Sequence, residues 1–159
     1  MIRVTLREKG EVTKVMERMP ERIRGAVVQA FQDIAIQIQS LAKINAPEFR
    51  GLLRLSIAQS VTDQGSKIVG QVGSGLIYAP VIEEGREAGW FPPPDSLRAW
   101  ARKKLGDERL AFVVARAISK RGFRAQPYLG PALDSITPRI ELIFRTRLTE
   151  AMQAEGGTP

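Results

Sequence analysis

Two adjacent carboxylates, Glu83 and Glu84, follow closely behind a Gly73-Ser74-Gly75 triplet. Those residue types could serve phosphate chemistry, with main-chain N–H groups cradling an anion and acids moving protons. The spacing argues against both roles. A phosphate loop carries more glycines, then Lys-Ser or Lys-Thr at a helix N-terminus, whereas Leu76-Ile77-Tyr78-Ala79-Pro80 comes next here. Neighbouring positions on a helix point about 100° apart, so Glu83 and Glu84 do not form a catalytic pair. The expectation is a strand end that turns sharply into a short packed segment. In it, Tyr78 and Ile82 share one face, and Glu83 or Glu84 pairs with Arg54 or with a neighbour's arginine.

The rest of the chemical inventory is thin. The chain contains no Cys and no His. The first absence removes disulfides, iron–sulfur clusters and thiolate zinc sites. The second removes Ser-His-Asp and Cys-His catalysis and the commonest metal ligand. Carboxylate or lysine catalysis stays open, but no constellation for it stands out, and no cofactor is expected. The net charge of +7 directs attention to anionic partners. Arg98, Arg102, Lys103, Lys104, Arg109, Arg116, Lys120, Arg121 and Arg124 are opposed only by Asp107 and Glu108. Arg98 and Arg102 share a helix face, as do Arg116 and Lys120. Three readings fit: a solvated face, a phosphate-facing surface, or a docking surface for an acidic neighbour. Few aromatics interleave with the charges and no base-reading motif occurs.

These residues must be positioned by one domain, which 159 residues suit. A chain of that size buries roughly 68–70% of its unfolded surface. No apolar run approaches the ~18 residues of a membrane span. The start, Met1-Ile2-Arg3-Val4, lacks the apolar core of a secretory signal. Residues 2–7 alternate like a half-buried strand, and Val12, Val15, Met16 and Met19 fit a short helix stopped near Pro20. From Pro20 to Asn45, Ile23, Val27, Ala30 or Phe31, Ile34, Ile38 and Leu41 draw one stripe on a helix.

Leu53–Thr62 and Lys67–Gly73 read as strands joined by Asp63-Gln64-Gly65-Ser66, with Leu55, Ile57 and Val61 on one face. Arg54 and Ser56 point outward in that reading, and Gly70 marks a bulge or a close backbone approach. A stiff loop, Arg86–Asp95, leads to a helix capped by Asp95 or Ser96, carrying Leu97, Trp100, Ala101 and Leu105 and ended by Gly106. Asp107 starts the next helix, with Leu110, Val113, Val114, Ala117 and Ile118 on one side and Gly122 as its stop. Pro131 opens the last helix, which Pro138 kinks or restarts with Thr137 as cap. The fold class is α+β: a long N-terminal helix and a C-terminal helix packed on a small antiparallel sheet, with a two-helix insertion.

Three segments then stand out as an ordered set. The first is Ala46-Pro47 followed by Gly51-Leu52-Leu53-Arg54-Leu55-Ser56-Ile57. The second is Val72-Gly73-Ser74 followed by Tyr78-Ala79-Pro80-Val81-Ile82-Glu83-Glu84-Gly85. The third is Pro127-Tyr128-Leu129-Gly130-Pro131-Ala132. In order and spacing they resemble the siphophage minor tail-component family, also described as tail completion or head–tail joining proteins. The resemblance spans roughly residues 20–152. Two features depart from the family's pattern. Many members carry threonine where this chain has Arg86, and the insert at about 86–122 is a longer variant.

The resemblance implies a non-enzymatic virion part in the neck or tail, assembled in a host cytoplasm. The chain is expected to form a single tail-component domain over residues 1–155, and the tail Gly156-Gly157-Thr158-Pro159 should be flexible. Its expected partners are other copies in a ring and other neck and tail proteins, on the portal or adaptor side and on the tail terminator or tube side. DNA in transit is a further possible contact, and no membrane is involved. The candidate interface residues are Arg54, Tyr78, Glu83, Glu84, Arg86, Trp90, Phe91, Arg98, Arg102, Arg116, Lys120, Tyr128 and Leu129. For Tyr128 and Leu129 the alternative is packing beneath the last helix. The competing function class is a basic nucleic-acid-binding module, supported by charge alone.

Overall fold

A computed structural model describes residues 2–4, 19–47 and 51–154, with residues 2–4 described as main chain alone. The short helix expected over 12–19, the strand continuation over 5–7 and the frayed tail at 156–159 lie outside the described residues, Met19 excepted.

The fold is α+β, as the pattern of apolar residues predicts. Strand β1 (Ile2–Val4) precedes the long helix α1 (Glu21–Asn45), a helical turn α2 (Leu52–Ser56), and the hairpin β2 (Ile57–Asp63) and β3 (Ile68–Ser74). Then come α3 (Ala79–Glu84), α4 (Pro94–Leu105), α5 (Ala111–Arg121), α6 (Leu129–Ile136) and α7 (Ile140–Gln153). Single 3-10 turns at Glu108–Leu110 and Thr137–Arg139 lead into α5 and α7. The sheet is antiparallel in the order β1-β3-β2, with Val72 opposite both Ile2 and Gln59.

Helix α1 runs 25 residues from Pro20, whose fixed φ suits a helix start, to Ala46, where the chain turns extended before Pro47. Its buried face is Ala26, Ala30, Phe31, Ile34, Ala35, Ile38 and Ala42. Small and large residues alternate along it, so α1 lies close to β2, β3, α6 and α7 at once. Gly70 is the sheet's concession to that packing: a Cβ there would sit 3.3 Å from the Phe31 ring. Phe31 also meets Phe144 of α7 edge-on, ring centroids 5.5 Å apart. The bulge or close backbone approach expected at Gly70 is not formed: a side chain makes the contact, and the β2–β3 register runs unbroken through Gly70. At the edges, the Gln39 amide donates to Ile57 O at 2.8 Å and Arg147 Nε reaches Asp33 at 2.7 Å. Arg24 grips both Asp63 and the Gly65 carbonyl, tying the start of α1 to the hairpin turn.

Several sequence expectations are corrected. Residues Leu52–Ser56 are helical, so the strand begins at Ile57 and not at Leu53. Gly51 at φ 68° starts this turn, the Ser56 hydroxyl closes it on Leu53 O, and Leu55 is turned out to solvent. A run of Leu and Arg has good helix propensity, which period-2 alternation hid. Helix α4 starts at Pro94 after Pro93, so neither Asp95 nor Ser96 caps it; the Ser96 hydroxyl donates back to Pro93 O. Asp107 does cap, accepting the Arg109 N–H, but it caps a 3-10 turn. That turn rotates the phase of α5, which buries Ala111 and Ala115 and leaves Val113 and Ala117 exposed. Helix α6 opens at Leu129, two residues before Pro131. Pro138 restarts the chain through a 3-10 turn as expected, but the Thr137 hydroxyl donates to Leu133 O and does not cap α7.

Candidate functional site

The second and third motifs meet at one carboxylate. Tyr78 and Pro80 set the start of α3, and Gly85 ends it at φ 74°, which places Glu83 against the N-terminus of α6. Glu83 Oε2 accepts the main-chain N–H of Tyr128 at 2.8 Å and of Leu129 at 2.9 Å, and Oε1 accepts that of Gly130 at 2.8 Å. A helix leaves its first N–H groups without intrahelical partners. Here Glu83 takes three of them, and the next residue, Pro131, has no N–H to satisfy. The Gln126 N–H adds a bond to Ile82 O at 2.8 Å, and the Asn45 amide reaches Tyr128 O at 3.5 Å from the end of α1.

The expected ion pair between Glu83 and Arg54 is not formed; Arg54 lies exposed on α2, and the carboxylate is held by main-chain donors instead. Tyr128 and Leu129 are buried in the core, the packing alternative. Tyr78 keeps part of its ring exposed while Ile82 packs on the core. Burial pushes the Tyr128 phenol up to about 12, with the Glu83 charge and Tyr78 adding to the shift, and burial raises Tyr78 as well.

A second polar contact ties the first motif to the second. The Ser56 and Ser74 hydroxyls lie 2.7 Å apart, and Ser74 Oγ accepts the Leu76 N–H at 3.1 Å. Ser56 is thus half-buried and engaged, not an outward solvated position. The Ser56–Ser74 and Asn45–Tyr128 contacts had no signal in the sequence, because each joins residues distant in the chain. The Gly73-Ser74-Gly75 triplet is the strand end and turn that its sequence suggested.

The insert forms a lobe of its own. Arg86 and Phe123 pair as an antiparallel bridge, with N···O distances of 2.8 and 2.7 Å in the two directions. The loop after Arg86 then runs back along α5: the Gly89 N–H donates to Ser119 O at 2.8 Å, and Phe91 meets Phe112 with ring centroids 5.7 Å apart. The Arg86 guanidinium lies 4.5 Å from the centroid of the Trp90 ring, a contact worth about 0.5–1 kcal/mol at an exposed site. Pro92 is fully buried, while Phe91 and Phe112 keep substantial exposure. Helices α4 and α5 pack chiefly on each other.

The basic residues are not one uniform face. Arg98 pairs with Asp95 at 2.8 Å, and Arg102 pairs with Glu108 across the lobe. Arg116 and Lys120 stand exposed on the outer side of α5. Phe112, absent from the sequence-derived candidates, belongs with them, as does its exposed neighbour Val113; both sides of α5 carry apolar residues, so periodicity alone does not say which is buried.

The tertiary structure therefore gathers Glu83, Tyr128 and Leu129 into a structural clamp, and Arg86, Trp90, Phe91, Arg116 and Lys120 onto the lobe. Glu84 stays exposed beside the clamp. Both Glu83 oxygens accept main-chain N–H groups, an arrangement that positions the start of α6. Among the described residues no three of His, Cys, Asp and Glu gather to hold a metal ion, and no helix is long and apolar enough to cross a membrane. No family model, curated protein or solved structure matches this chain.

Proposed function

We propose that this chain is a non-enzymatic structural component of a bacteriophage neck or tail, acting in a ring that completes the tail or joins head to tail. One observation carries the reading. The three segments that resemble the tail-component family are joined to one another by two polar contacts. Glu83 of the second motif caps the helix of the third, and Ser56 of the first bonds Ser74 of the second. Short motifs that match by chance have no reason to be each other's partners. The partners under this reading are further copies of the chain, a portal or adaptor on one side and a tail terminator or tube on the other.

The test is negative-stain imaging of particles assembled without this protein. Full heads separated from finished tails are the expected outcome; normal, infectious particles overturn the reading. Tight binding of duplex DNA by the isolated protein at physiological salt would favour the nucleic-acid-binding alternative.

A further inference from the structure

The outer side of α5 is the least explained surface of the molecule. Arg109 stands on the turn before it, and Phe112, Val113, Arg116, Ala117 and Lys120 follow at helical spacing, all exposed. Phe112 is 57% and Val113 59% exposed, and Phe91 from the proline-rich loop widens the apolar area by packing on the Phe112 ring. Cations flank this apolar centre on both sides along the helix. No acid occurs in the chain between Glu108 and Asp134, and Glu108 is engaged with Arg102 on the α4 side. Glu87 passes the other end of α5, where its main chain approaches Gly122.

We propose that this face, with Phe91 and Phe112 as its anchor, docks an acidic protein surface that presents an apolar residue, a partner other than a second copy of this chain. The argument is charge complementarity around an apolar core. A large ring pair left half in water gains free energy on burial, and the cations beside it select a negative rim. A second copy carries the same net charge of +7, which opposes homotypic docking of this face. Duplex DNA would use the cations but gains nothing from Phe112 and Val113, which sit between them where phosphates would lie. The two neutralised arginines of α4, Arg98 and Arg102, further shrink any continuous phosphate track. This inference rests on the lobe's surface and stands apart from the virion reading.

The experiment uses the full chain at about 0.15 M salt and follows the emission of Trp90 and Trp100, both in the lobe. Four probes are titrated: an acidic amphipathic helical peptide with leucines along one face, the same peptide with those leucines changed to serine, a 20-base-pair DNA duplex, and phosphatidylcholine vesicles containing phosphatidylglycerol. The acidic leucine peptide is expected to bind at least tenfold tighter than its serine version. Phe112→Ser and, separately, the pair Arg116→Glu with Lys120→Glu should each weaken it at least tenfold; both act at exposed positions that leave the core intact. Absence of peptide binding, equal binding by these variants, stronger binding of duplex or vesicles, or Phe112-dependent self-association in sedimentation each overturns the proposal.

Discussion

Glu83 on α3 and Tyr128 are joined by a 2.8 Å hydrogen bond from the Tyr128 main-chain N–H, although they lie 45 positions apart. The carboxylate acts as the N-terminal cap of a helix to which it does not belong. Caps are ordinarily local, supplied by the residue before the first turn. Here the local candidate is Tyr128, which makes no side-chain cap, and a distant acid replaces it. The consequence is topological. The insert leaves the fold after Gly85 and returns at Phe123, so the Glu83 clamp and the Arg86–Phe123 bridge together close its base.

Glu83→Ala should destabilise the fold by about 2–3 kcal/mol, because it strands part-buried N–H groups that had a charged acceptor. Glu83→Gln keeps one carbonyl oxygen and should cost less. Urea midpoints for the three proteins, at equal slope, measure this; an unchanged midpoint for Glu83→Ala would show that the clamp adds nothing.

Two glycines at the base of the insert should be far less replaceable than a third at its tip. Gly85 and Gly122 have φ of 74° and 76° with ψ of −170° in both, a region essentially confined to glycine. A Cβ at Gly122 would fall 2.4 Å from Arg86 O, main-chain atoms that cannot swing away. Gly106 ends α4 at φ 81° in open space. Gly106→Ala should therefore cost about 1 kcal/mol, within the range for an L-residue in left-handed backbone, and Gly122→Ala more than about 2 kcal/mol. Thermal denaturation of both variants gives the ranking; equal losses would contradict the bridge geometry.

Alkaline pH should weaken the fold through Tyr128. Unfolded, its phenol ionises near 10.0, and folded it is pushed up to about 12 by burial, aided by Glu83 and Tyr78. A raised folded value favours the neutral form in the fold. Its contribution is fully present below about pH 10 and is lost as pH climbs toward 12. Tyr128→Phe should shrink the fall in denaturant midpoint between those pH values, leaving the part due to Tyr78. An identical alkaline limb in the variant would exclude Tyr128 as its source.

The acid limb has a different owner. The Asp63 carboxylate is lowered from 3.8 to about 2, first by the Arg24 hydrogen bond and then by the Gly65 N–H. A lowered folded value gives stability that is present above pH 4 and fades as pH falls toward 2. Both partners are at the surface, so salt should reduce the effect. Asp63→Asn should shrink the change in midpoint between pH 4 and pH 2, leaving the part due to Glu108, whose carboxylate Arg102 also lowers; urea melts at low and high salt read this, and an unaltered limb rules the Arg24–Asp63 pair out.

The amino-acid sequence determined the elements wherever one local force dominates. The stripe from Ile23 to Leu41 between Pro20 and Pro47 defines α1, because a 3.6-residue period and two prolines leave no competing structure. Asp63-Gln64-Gly65-Ser66 defines the hairpin for the same local reason, as Gly106 and Gly122 define helix ends. The α+β class follows from those pieces. Local signals misled at Leu52–Ser56, where alternation and helix propensity disagree and Gly51 decided for the helix, and along α5, where both sides are apolar and a 3-10 turn set the phase.

What only the tertiary structure decided is pairing. Nothing near Glu83 in the chain reveals that its acceptors are owed to the N–H groups of Tyr128, Leu129 and Gly130, that Ser56 faces Ser74, or that Phe91 lies on Phe112. A hydrogen bond or ring contact between residues tens of positions apart leaves no periodicity behind. The two hydrogen-bonded pairings exist because packing α1 against the sheet and α6 brings those groups within 3 Å and removes the water that would otherwise satisfy them; the ring contact follows from the packing of the proline-rich loop on α5.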